Sequence, residues 1–238
     1  MRTVIGLILL AGCAAPPPAA EPLRSSPDPY ETRTVEGWIV RVARVLLEEQ
    51  AELGKRALRL LETKLYEVTR VVPERAVAEL RQVPIWLCAG EGTKGAGGAE
   101  YHPSEAWLRD HGYNTAKAKA VEIGDVAHFL KFSIPQPSVL LHELAHAYHD
   151  RVLGFGHAGI KAAYAAAVEG KRYESVLHIG GKLKRHYALT DEKEYFAEAS
   201  EAWFGTNDFY PFVRAELREA DPKGAAVLEE VWAAVKSR

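Results

Sequence analysis

His142-Glu143-Leu144-Ala145-His146 places two imidazoles four residues apart, with a carboxylate beside the first. On a helix, residues i and i+4 share one face. Both rings can then reach one divalent cation, zinc above all, and Glu143 can reach a water on that ion. Zinc lowers the pKa of its water toward ~7, and the carboxylate takes the proton. The chemistry this permits is hydrolysis of an amide bond. The flanks, Val139-Leu140-Leu141 and Leu144-Ala145, are apolar and follow Pro137-Ser138. The pair is therefore expected to face a protected interior, where neutral imidazoles need partners.

A catalytic zinc takes three protein ligands and keeps one position open. The extended pattern H-E-x-x-H-x-x-G-x-x-H fails, because His149 and Val152 stand where Gly and His would be. A straight helix carries His149 past an ion held by His142 and His146, so it is expected to support the ligands from behind. His157, after Gly154-Phe155-Gly156, reads as an ordinary loop residue. The third ligand is expected downstream, in the segment from Asp191 to Gly205, a helix with an N-terminal Asp and a C-terminal Gly. Glu194, Glu198 and Glu201 recur there at i, i+4 and i+7. Most acidic stripes are solvated. This helix also carries Tyr195, Phe196, Ala199, Ala202, Trp203 and Phe204, which leave little of its circumference for water. Glu194 is the expected ligand, with Glu198 bonded to the free nitrogen of a ligating histidine. Glu198 and then Glu201 are the alternatives for the ligand.

These residues resemble the gluzincin-type metallopeptidases of the lethal-factor-like group, which includes the Pro-Pro endopeptidases. That group joins H-E-x-x-H to a later helix reading roughly Tyr-x6-Glu-(aromatic)-Phe-Ala-Glu, and here the matching stretch runs from Tyr187 through Glu194 to Glu198. The resemblance implies zinc on His142, His146 and Glu194, Glu143 as general base, and Tyr187 as donor to the oxyanion. Peptide hydrolysis does create an oxyanion that a hydroxyl donor stabilises. The likeness spans about Pro137 to Gly205. It implies a zincin-like domain and a peptide or protein substrate.

The first twelve residues read as a signal peptide, with Arg2 ahead of an apolar run from Val4 to Leu10. Leu10-Ala11-Gly12-Cys13 resembles a bacterial lipobox, which makes Cys13 the expected lipidation site. Residues 13–33 read as a Pro/Ala-rich tether and 34–238 as the folded domain. The expectation is a membrane-anchored lipoprotein of the bacterial cell envelope. Cys88 is then unpaired and reads as a buried apolar residue. A net charge of -2, with no basic patch, argues against a nucleic-acid partner.

Alternation from Thr34 to Ala43 predicts a strand, and apolar spacing from Gln50 to Arg70 a long helix. Pro73 opens a second helix, and Val83–Ala89 reads as a second strand. Gly90–Gly98 reads as a flexible loop; it lacks the Lys-Ser/Thr ending of a phosphate loop. Ala118–Ile123 reads as a third strand. By analogy with zinc peptidases, that strand is expected at the cleft edge, pairing with an extended substrate. Helices dominate thereafter, and the aromatic residues of 203–212 read as core. The fold class is α+β: one domain, a small early sheet, then mostly helices. A non-catalytic metal-binding or structural envelope protein is the alternative reading; it needs no Glu143.

Overall fold

The computed structural model describes residues 29–90 and 98–233. The expected signal segment, Cys13 and the first part of the tether lie outside the described residues. Glu36 and Gly37 take positive φ values of 48° and 89°, the conformation that two-residue hairpin turns require. The alternating segment is therefore a hairpin rather than one strand. Strand β1 (Tyr30–Val35) runs antiparallel to β2 (Trp38–Ala43). Residues 30–33, expected in the tether, belong to the sheet.

Trp38, Val40 and Val42 are buried in β2. Trp38 Nε1 donates to the Leu80 carbonyl at 2.9 Å, tying the hairpin to α2 (Glu74–Leu80). Helix α1 (Ala51–Val71) buries Ala57, Leu61, Leu65 and Val68, an i, i+4, i+8, i+11 stripe. Gly54 lets its first turn press on the preceding chain, since a Cβ there would fall 2.0 Å from the Leu46 carbonyl oxygen.

Strand β3 (Ile85–Leu87) lies parallel to β2, and β5 (Val121–Ile123) parallel to β3. Strand β4 (Glu100–Tyr101) adds antiparallel to β5. The order is β1-β2-β3-β5-β4. The strand expected at the edge, β5, is thus interior, and the edge belongs to β4. Two residues are too few for alternation to reveal a strand, so β4 has no signature in the sequence. Helices α3 (Glu105–Asp110) and α4 (Val126–Phe132) flank β5 in the chain.

Helix α5 (Val139–Tyr148) carries the histidine pair, and nine of its ten residues are buried. It is a core helix rather than an amphipathic one, which explains the apolar run on both sides of the motif. A π-helical turn (His149–Leu153) continues it to Gly154, whose φ of 77° ends the run. Then follow α6 (Ala158–Glu169), the hairpin β6 (Val176–Leu177) and β7 (Leu183–Lys184), α7 (Glu192–Phe204), α8 (Arg214–Ala220) and α9 (Pro222–Ala233). Helix α7 packs on α5. Trp232 of α9 stacks on Tyr148 and Phe196, at 4.2 and 5.8 Å between ring centroids, and so ties both helices to the C-terminus. Trp203, Phe204 and Phe209 are buried, as core residues should be. The whole is α+β, with the sheet early and the helices late. Among the described residues no helix is long and apolar enough to cross a membrane.

Candidate metal centre

Two local features aim the ligands. Helical spacing on α5 sets His142 and His146 one turn apart, with ring centroids 4.7 Å apart. Asp191 caps α7, its Oδ1 accepting from the N–H groups of Lys193 and Glu194 at 2.8 and 3.0 Å. Glu194 therefore sits in a fixed first turn, where the helix dipole favours a negative charge. Packing of α7 on α5 brings the two sets together.

Their ligand atoms form a small triangle. His142 Nε2 and His146 Nε2 are 3.1 Å apart, and Glu194 Oε2 lies 3.1 and 3.2 Å from them. Zinc with ligands at about 2.0–2.1 Å requires ligand atoms roughly 3.3 Å apart in a tetrahedron. The three side chains can hold a metal ion, and this donor set fits. Charge points the same way. Burial opposes the charge on Glu194, but its hydrogen bonds to both histidines outweigh that and hold its carboxyl far below the usual range. Burial likewise opposes a charge on His142, and Glu194 and Glu201 overcome it, raising its pKa well above normal. The site stabilises positive charge where the three atoms converge.

Glu143 Oε2 accepts from the Tyr101 N–H of β4 at 2.7 Å. Burial raises the pKa of this carboxyl, the two histidines working against it. A raised pKa with one oxygen fixed suits a group that must take and return a proton. A cleft of about 550 Å³ opens over the cluster. Gly98, Ala99 and Tyr101 line one wall, and Phe155 and Phe209 contribute apolar surface. Tyr187 is half exposed and lines the same cleft, its ring centroid 6.4 Å from that of His142.

Two expectations need correction. Glu201, not Glu198, accepts from His142 Nδ1, at 2.7 Å against 3.6 Å for Glu198. Gln136 Nε2 also donates to Glu201, at 3.3 Å, and holds it in place. Glu198 is fully buried, and its Oε2 has no hydrogen-bond partner among the described residues. Burial and the neighbouring Glu201 push its pKa well up. His142, Glu198 and Glu201 form a second, fully buried group able to hold an ion, and two of its members, His142 and Glu198, also line the cleft.

His149 does not support the ligands. It is fully buried against Phe155 and Phe196, and neither ring nitrogen has a partner among the described residues. Burial, then the charge of His146, lowers its pKa to about 4, so it is neutral. The π-helical turn begins at this residue. Tyr101 was not foreseen as a site residue, since what it offers Glu143 is a backbone group that any residue carries.

No protein-family model, no curated protein and no solved structure matches this chain.

Proposed function

We propose that the protein is a zinc-dependent peptidase with a gluzincin-type, zincin-like centre. The supporting observation is the triangle of His142, His146 and Glu194 at 3.1–3.2 Å, beside Glu143 and open to a cleft. When bound, zinc would supply a Lewis acid that polarises a carbonyl and lowers the pKa of a water. Glu143 takes a proton at the oxygen that Tyr101 leaves free, and later passes it to the leaving amine. Glu201 fixes the His142 ring so that its Nε2, not its Nδ1, turns to the ion. Tyr187 donates a hydrogen bond from its phenol to the oxyanion, and its raised pKa keeps the proton on the phenol. The margin at β4, not β5, borders the cleft in which an extended peptide would lie. The substrate is a peptide or protein met at a bacterial cell envelope, with Cys13 carrying the lipid that anchors the chain.

The test combines metal analysis with peptide-library cleavage. Wild type should carry one zinc and cleave. Glu143→Ala should keep the zinc and lose cleavage by roughly 10³-fold or more. His146→Ala should lose both. Cleavage retained by purified Glu143→Ala would end the proposal.

A further inference from the structure

His102, Lys117, Glu122 and Cys88 form a polar cluster that the metal centre does not use. All four are buried. Glu122, in the middle of β5, accepts from His102 Nε2 at 2.7 Å on one oxygen and from Lys117 Nζ at 2.6 Å on the other. Lys117 Nζ also lies 3.5 Å from Cys88 Sγ, at the end of β3. Burial opposes the charge on Glu122, but the bonds and charges of His102 and Lys117 prevail and bring its pKa to about 2. A buried carboxylate with both oxygens answered is a stiff joint, because breaking either bond strands a charge.

The joint holds β4. That strand has two residues, and the glycine-rich segment enters it. Such a strand has little ladder of its own: His102 N–H donates to the Ala120 carbonyl, and Lys119 N–H to the His102 carbonyl. Successive residues of a strand point to opposite faces. His102 therefore reaches Glu122 on one face, while the Tyr101 hydroxyl donates to Asp150 on the other, at 2.7 Å. The Tyr101 N–H, turned away from β5, is the one that Glu143 Oε2 accepts.

We infer that His102, Glu122 and Lys117 are positioning residues, which lock β4 from the far face of the sheet and so hold the Tyr101 N–H against Glu143. The kinetic consequence rests on the peptidase reading; the structural consequence does not.

The full chain, zinc-loaded, is compared with its variants by amide hydrogen exchange at Tyr101 and by kcat. His102→Ala should speed that exchange by about tenfold or more and lower kcat by roughly tenfold or more, with zinc content unchanged. His102→Gln keeps a donor for Glu122 and should restore both. In Glu143→Asp, whose shorter side chain lets go of Tyr101, His102→Ala should cost at most about twofold further. Normal exchange and kcat in folded His102→Ala overturn the inference. So does a loss that His102→Gln leaves unrescued, or one of equal size in both Glu143 backgrounds. Should His102→Ala fail to fold, Lys117→Met takes its place: normal exchange and kcat in that variant, or a loss of equal size in both Glu143 backgrounds, overturn the inference. Absence of hydrolysis in wild type overturns the peptidase reading alone, and the exchange measurement then decides this one.

Discussion

His142 serves two partners with two nitrogens. Its Nε2 faces Glu194 and the cleft, while its Nδ1 faces Glu201 and the core. An acceptor behind a ligating histidine raises the ring's basicity, and its loss typically weakens metal binding 10–100-fold. Glu201→Ala should therefore weaken zinc binding by about that factor, and Glu198→Ala by much less. Competition with a chromophoric chelator measures both. Equal losses would return the role to Glu198, as the i+4 spacing suggests. At this scale the sequence was most legible where chemistry is local. The closeness of His142, Glu143 and His146 follows from the spacing of the motif, whereas Glu194, singled out by its helix and by the resemblance, reaches the two histidines only through the packing of α7 on α5. The choice between Glu198 and Glu201 is not local. Both lie on one stripe of α7, and the rotation of that helix against α5 decides which carboxylate meets Nδ1. His149 was misread for a related reason: the backbone loosens into a π-helical turn at that residue and sends the ring among aromatic side chains.

Helix α7 shows how an element aims a ligand. Asp191 takes two of the orphan N–H groups at its start, one of them from Glu194 itself. Asp191→Ala should cost about 1 kcal/mol of stability in urea denaturation. It should also weaken zinc binding, because Glu194 sits in the turn that frays. Asp191→Asn should restore most of both. An unchanged urea midpoint in Asp191→Ala would show that packing on α5 alone sets this helix. Long periodic elements such as α1 and α7 were readable because many residues repeat one pattern. The two residues of β4 repeat nothing, and their place at the sheet edge is fixed by β5 and by side chains on the far face. The hairpin hid inside an apparent single strand because Glu36 interrupts the alternation by its backbone twist rather than by its type.

The molecule as a whole carries buried groups that set its acid limit. His149 is neutral when folded, with a pKa of about 4 against 6.5 for a free ring. His186, also buried, is lowered to about 3. Below pH 6.5 the unfolded chain binds protons that these rings refuse, so stability falls as pH drops from about 6.5 toward 4. Glu122 acts lower down. Its stabilisation is complete above its ordinary value of 4.5 and is lost as pH falls to about 2. Denaturant midpoints measured from pH 8 to 3 should decline in these two windows. His149→Phe should flatten part of the upper one, by on the order of 3 kcal/mol at full effect. A variant curve parallel to wild type from pH 7 to 4 would mean that His149 is protonated in the fold. The strand order has a spatial corollary. The chain enters the sheet at β1 and the cleft opens beside β4, at the other margin. Four strand spacings of about 4.8 Å put roughly 19 Å between those margins. A label placed at Tyr30 should therefore sit at the far margin of the sheet from a ligand held in the cleft.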